Sequence, residues 1–90
     1  MARLKVQERA KARGVNLSEL QMQVSTRMGR VVPLGTIRRY WYSTKNGSER
    51  GEPIELVDVY LLGSIANALE VPVGELLNGE ELGPMVLAQM

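Results

Sequence analysis

The segment from Asn16 to Gly29 constrains the fold more than any other part of this sequence, because it carries a start signal, an apolar face and a stop signal for one helix. Asn16 and Glu19 stand at the spacing of a capping box, in which each side chain accepts a hydrogen bond from the other residue's amide. Gly29 suits the left-handed residue that ends many helices. Apolar residues recur between these signals at helical spacing: Leu17, Leu20, Val24 and Met28. The segment is therefore predicted to form an amphipathic helix that packs on other helices.

Similar signals predict further short helices on both sides of this one. Residues 3–13 are rich in helix formers and end at Gly14. Pro33 suits the first turn of a helix that runs to about Tyr42, with Ile37, Tyr40 and Trp41 facing inward. After a loop at 43–53, a later helix is indicated by the spacing of Leu61, Leu62, Ile65, Ala68 and Leu69, and Pro72 opens a last turn that Asn78-Gly79 ends.

Residues 54–60 fit two structures equally well. Their apolar residues alternate as in a short strand, but so short a run is also compatible with the start of a helix. The chain of 90 residues is long enough for one domain with a single small core. We therefore expect an all-α bundle of about five short helices over residues 1–79, with a possible short strand near 54–60. Residues 80–90 are expected to form a tail that is mobile or docked on a protein partner.

The residue types that are absent exclude several classes of function. The chain has no cysteine and no histidine, which removes disulfides, the common zinc ligands and the usual general base. Glu75, Glu80 and Glu81 have no base or metal ligand beside them in sequence, so we expect no enzyme, metal site or cofactor. No apolar run approaches the roughly 20 residues that a membrane span needs. We expect a cytoplasmic, nucleoid-associated protein with no membrane partner.

The charges are divided between the two halves of the chain. All 11 basic residues fall within residues 1–50, together with three acidic residues, so this half carries a net charge of about +8. Residues 51–90 hold seven acidic residues and no basic one. Such a division favours a polyanionic partner for the basic half, with nucleic acid first and an anionic membrane surface second.

Three stretches carry a resemblance to a known family: residues 6–20 (VQERAKARGVNLSEL), residues 32–39 (VPLGTIRR) and residues 62–77 (LGSIANALEVPVGELL). They resemble, in order, the opening helices, the recognition helix and the closing helices of the Xre family of helix-turn-helix regulators, with Thr36-Ile37 at that family's customary pair. The resemblance covers about residues 4–78 and implies a lambda-repressor-like fold that binds double-stranded DNA. About six additional residues, 26–31, either lengthen the second helix or form a basic flap, and Leu17 replaces a DNA-gripping glutamine.

The predicted recognition helix supplies the candidate DNA contacts. Gly35 and Thr36 are small or hydrogen-bonding, as residues that meet bases must be, and Arg38 can reach a guanine edge. Phosphate contacts are expected from Arg39, Tyr42 and Lys45, with Tyr42 on the outer surface. Two further cations, Arg27 and Arg30, are about equally compatible with contact to DNA and with simple exposure to solvent. Asn16 is foremost a helix cap, although the amides beside it could also bind a phosphate.

These observations favour a sequence-specific transcription regulator of prokaryotic or phage type that binds paired half-sites as a homodimer. Two alternatives stay open. One is an antitoxin-like interaction module that docks on a protein partner through its apolar tail, residues 85–90. The other is an excisionase-like architectural protein, which would use the same DNA surface but bend the duplex.

Overall fold

The computed structural model describes residues 4–77 and the backbone of residues 86–88, and this part of the chain is mostly helical, as the sequence predicts. In chain order its elements are α1 (Val6–Ala12), α2 (Leu17–Met28), α3 (Leu34–Tyr42), β1 (Leu56–Asp58), α4 (Val59–Ala68), a 3-10 helix (Val73–Leu76) and β2 (Val86–Ala88). None of the helices described is long and apolar enough to cross a membrane.

Helix α2 begins and ends where the sequence signals place it. The Asn16 Oδ1 atom accepts a hydrogen bond from the Glu19 amide at 2.8 Å, and the Glu19 carboxylate accepts one from the Asn16 amide at 3.3 Å. Gly29 follows the helix with a φ of +72°. The predicted stripe faces inward, with Leu20 and Val24 fully buried. The capping box and the apolar face therefore act together to fix this helix.

The core is almost entirely aliphatic and lies where α2 meets α3 and α4, with α1 packed on α3. Its fully buried side chains are Val6, Leu20, Val24, Val32, Ile37, Ile54, Val57, Leu62, Ile65, Leu69 and Leu76. Tyr40 and Trp41 complete the core from α3. Their burial confirms that both aromatic residues face inward.

Residues 54–60, whose sequence fits either a short strand or the start of a helix, contain both in the structure. Leu56–Asp58 form β1, which pairs in parallel with β2 in the register Leu56 to Val86, and α4 begins at once with Val59. Asp58 marks the change, because its carboxylate accepts hydrogen bonds from the amides of Tyr60 at 2.8 Å and Leu61 at 3.2 Å. Such a side-chain cap is the usual start of a helix.

The predicted tail is only partly within the described residues. Its backbone at Val86–Ala88 forms β2 on β1 of the same chain. The predicted helix end at Asn78-Gly79 and residues 80–85 and 89–90 lie outside the described residues.

Ser43 joins three parts of the chain at the end of α3. Its hydroxyl accepts a hydrogen bond from the Leu4 amide at 2.8 Å and donates one to the Leu4 carbonyl at 3.2 Å. Its own carbonyl accepts from the Ile54 amide at 2.8 Å. Ser43 is buried and has a φ of +59°, so the chain turns sharply here. The start of the described chain, the end of α3 and the approach to β1 are thereby held together.

Truncation of a core residue should unfold much of this small domain. Ile37→Ala and Leu69→Ala each remove a fully buried side chain, and we expect each to lower the free energy of unfolding by about 2–5 kcal/mol. Met22→Ala is the matched surface control, because Met22 is 64% exposed, and its cost should stay below about 0.5 kcal/mol. Urea melts followed by circular dichroism measure all three. Equal costs for the three variants would contradict the assignment of the buried faces.

Candidate nucleic-acid interface

The connection from α2 to α3 is held by hydrogen bonds to a single residue, Val32. The Val32 amide donates to the Ser25 hydroxyl at 2.9 Å, and the Val32 carbonyl accepts from the Gln21 side chain at 3.0 Å. The Val32 side chain is itself buried. Because α2 binds both backbone polar groups of Val32, the direction in which α3 starts is fixed.

The first three of the additional residues 26–31 lengthen α2, which continues to Met28. They do not form a separate flap, because Gly29 and Arg30 are bonded back to the last turn of the helix through the Thr26 and Ser25 carbonyls. Arg30 and Val31 are exposed on the connection that follows. No local sequence signal marks the roles of Gln21 and Ser25, although their four-residue spacing beside the apolar stripe places them on one flank of α2.

The first turn of α3 has no cap. Pro33 precedes it and offers no side-chain acceptor, and no acidic residue lies in that turn. The amides of Thr36 and Ile37 both donate to the Pro33 carbonyl, at 3.0 and 3.2 Å. An uncapped helix start presents amide hydrogens and the positive end of the helix dipole to its surroundings. This end of α3 is therefore suited to a negatively charged partner.

The opposite face of α3 is fixed in the core. Ile37, Tyr40 and Trp41 are buried, and the Tyr40 hydroxyl accepts a hydrogen bond from the Asp58 amide at 2.7 Å. Burial, reinforced by the nearby negative charge of Asp58, raises the pKa of the Tyr40 phenol above its ordinary value. The phenol therefore stays neutral and keeps α3 joined to the end of β1.

The loop that follows α3 packs back against that helix. Gly47 is buried with a φ of +79°, and a Cβ atom there would lie 3.1 Å from the Gly35 carbonyl oxygen and 3.3 Å from the Arg38 Cβ. Internal hydrogen bonds order the loop: the Thr44 hydroxyl donates to the Ser48 carbonyl at 2.7 Å, and the Ser48 amide donates to the Asn46 side chain at 2.9 Å. The loop therefore packs along the first half of α3, next to Gly35 and Arg38.

The structure places the remaining residues of α3 in different environments. Gly35 and Arg38 are exposed, and Thr36 is half-buried. Arg39 is half-buried too, and its Nε atom is covered without a hydrogen-bond partner. Tyr42 is half-buried and packs partly against the core, so only part of its side chain lies on the predicted outer surface. Burial of the aromatic ring against the core stabilises the end of the helix, and a fully exposed ring would lose this apolar contact.

Lys45 has carboxylate partners within the loop. Its ammonium lies 3.2 Å from a Glu55 oxygen and 3.5 Å from a Glu52 oxygen. The hydrogen bond and charge of Glu55, followed by Glu52, raise the pKa of Lys45. Part of its charge is thus balanced before any phosphate approaches. Arg50, later in the same loop, is exposed, and nothing but its charge distinguishes it in the sequence.

Arg27 faces away from α3. At about 100° per residue, Arg27 lies roughly 200° around α2 from Ser25, which holds the connection to α3. Its guanidinium donates to the Asn67 side chain of α4 at 3.2 Å and to the Gln23 carbonyl at 3.2 Å. It lines an open groove of about 380 Å³ with residues of α4.

The predicted site residues therefore do not form a single cluster. Arg30, Gly35, Thr36 and Arg38 lie on α3 or the connection that leads into it, whereas Arg27 lies beside α4. Asn16 caps the other end of α2, as predicted, and its side-chain oxygen is occupied by that cap.

Comparison of the chain with family models, with curated proteins and with solved structures gives no match. Within the described residues, no group of three or more metal-ligating side chains is placed to hold a metal ion. Function is therefore inferred from the residues and their geometry.

The contact of Gly47 with α3 generates a stability prediction. Gly47→Ala combines an unfavourable positive φ with a close approach to the backbone of α3, so we expect a loss of about 1–3 kcal/mol in unfolding free energy. Gly29 also has a positive φ, but a Cβ atom there would have no neighbour within 4 Å. Gly29→Ala therefore measures the loss of unfolding free energy that comes from the backbone conformation alone. Gly63→Ala, inside α4 and also free of neighbours, should be neutral or stabilising. Thermal melts of the three variants test this order, and a Gly47→Ala protein as stable as Gly63→Ala would contradict the packing of the loop.

Proposed function

We propose that this chain is a sequence-specific regulator of transcription that binds double-stranded DNA, with α3 as its recognition helix. The observation that carries the proposal is the uncapped first turn of α3, which has an exposed arginine one turn further on and no acidic residue of its own. This turn belongs to the half of the chain that holds all 11 basic residues. Uncapped amides and cations together fit a polyanion.

The dimensions and side chains of α3 suit the major groove. Nine residues rise about 13 Å, and the groove is about 12 Å wide and admits an α-helix. Gly35 allows the helix backbone to approach base edges closely, and the Thr36 hydroxyl can donate or accept there. Arg38 can donate two hydrogen bonds to a guanine. The N-terminal half of α3 thus holds the side chains that read sequence.

Neighbouring cations are placed to bind the DNA backbone. Arg30 is exposed on the connection before α3, and Arg50 is exposed in the loop that packs beside it. Phosphate contacts from such positions fix the register of a recognition helix without reading bases. Lys45 makes a smaller contribution in this arrangement, since Glu52 and Glu55 already balance part of its charge.

The resemblance to the Xre family supports the same function. Its three stretches fall on α1 and the start of α2, on the connection with α3, and on α4 with the 3-10 helix. The additional residues fall at the end of α2 and in the connection, so they leave the uncapped start of α3 accessible.

Two copies on paired half-sites complete the proposal. Half-sites of helix-turn-helix dimers lie about 34–36 Å apart along the duplex. The Cα atoms of the protein span 31 × 26 × 23 Å, a size that allows two copies to lie side by side on half-sites one DNA turn apart. A homodimer is therefore the proposed binding unit.

DNA affinity should depend strongly on salt. Each phosphate contact releases counterions, so the logarithm of affinity should fall linearly with the logarithm of salt concentration, with a slope equivalent to roughly 4–8 contacts per bound unit. Fluorescence anisotropy with a labelled duplex at several potassium chloride concentrations measures the slope. An affinity that does not change with salt would contradict binding through the basic half.

Arg38 and Arg27 offer a matched pair of arginine variants. Arg38→Ala should cost about 1–3 kcal/mol on the preferred duplex and relax the preference at one base pair, because it removes a bidentate contact. Arg27→Ala should leave affinity and preference nearly unchanged, because Arg27 faces α4. Binding-site selection from a random duplex library measures both. Loss of preference in Arg27→Ala with full preference in Arg38→Ala would place the reading surface elsewhere.

A further inference from the structure

Two apolar side chains are exposed at the point where α3 would meet DNA. Val31, on the connection, is 80% exposed, and Leu34, the first residue of α3, is 37% exposed. Single exposed apolar residues are ordinary on protein surfaces. These two stand three residues apart, and the exposed cations Arg30 and Arg38 lie on either side of them in the chain. An apolar contact within a cationic surface calls for a partner that combines negative charge with apolar groups.

The backbone fixes where both side chains project. Val32 is buried and its peptide groups are bound by α2, so the neighbouring Val31 side chain is left outside the core. Leu34 and Arg38 are four residues apart on α3 and therefore lie on the same flank, one turn from each other. Leu34, which can make an apolar contact, therefore lies next to Arg38, which can bind a guanine.

We propose that Val31 and Leu34 read thymine, by contacting the C5-methyl groups of thymines in the major groove beside the base pair that Arg38 binds. This inference rests on the proposed function and specifies its ligand. In the major groove the thymine methyl is the apolar group that distinguishes one base pair from another. A duplex that supplies thymine methyls flanked by phosphates matches this surface in both apolar character and charge.

The test uses the full chain and a duplex chosen by the protein itself. Binding-site selection gives a preferred duplex, and each thymine in it is then replaced, one at a time, by deoxyuridine, which lacks only the methyl group. At one or two positions we expect the affinity of the unaltered protein to fall about fourfold, the value for one buried methyl group. Fluorescence anisotropy measures each affinity.

Protein variants identify the residues that contact the methyl groups. Leu34→Ala and Val31→Ala should each bind thymine and deoxyuridine equally at one of these positions. Val73→Ala is the matched control, because Val73 is also 37% exposed but lies in the 3-10 helix, and it should keep the fourfold difference. Circular dichroism checks that each variant is folded.

Failure of this inference can be distinguished from failure of the proposed function. If selection yields no preferred sequence, the proposed function itself is wrong. If selection yields a preference but no thymine substitution lowers affinity, or if both alanine variants keep the full deoxyuridine effect, recognition of thymine by Val31 and Leu34 is overturned while DNA binding stands.

Discussion

The position of α3 depends on the attachment of the backbone of one residue, Val32, to α2. Ser25 and Gln21 bind the amide and the carbonyl of Val32, and the Val32 side chain enters the core. A buried backbone group without a partner costs about 1–3 kcal/mol, so these two side chains stabilise this particular path of the connection against others. Every exposed residue from Arg30 to Arg38 takes its place from that path.

The far end and the inner face of α3 are attached just as firmly. Ser43 bonds the end of the helix to Leu4, and Tyr40 bonds its inner face to Asp58 at the end of β1. A helix held at its start, its inner face and its end keeps one orientation, which is what recognition by a few side chains requires. The bare first turn is therefore presented by a rigid support.

The sequence predicts the helices better than it predicts their surroundings. Helix starts and ends are local, so the capping box at Asn16 and the glycine at Gly29 could be read directly from residue spacing. Burial of Ile37 follows from periodicity in the same way. The hydrogen bonds that Gln21, Ser25 and Ser43 make join residues 11, 7 and 39 positions apart in the chain, and no local sequence pattern predicts them.

Local sequence patterns predict the candidate site only in part as well. Arg38 and Gly35 could be placed outward from the helical period, but Tyr42 could not, because its burial depends on the neighbouring core. Arg27 and Lys45 look like free cations in the sequence. Asn67, the partner of Arg27, lies on another helix, and Glu52 and Glu55 reach Lys45 only because the chain turns back after α3.

The ion pairs of Lys45 lie where the sign of the chain's charge changes. All 11 basic residues lie at or before Arg50 and seven of the ten acidic residues lie after it, so the sign of the charge changes within this loop, which packs beside α3. A molecule with such a charge distribution experiences a torque near a polyanion and turns its positive half forward before contact. The acidic half then repels any encounter in the reverse orientation. Under the proposed function, the loop thus marks the line about which the protein would orient itself as it diffuses toward DNA.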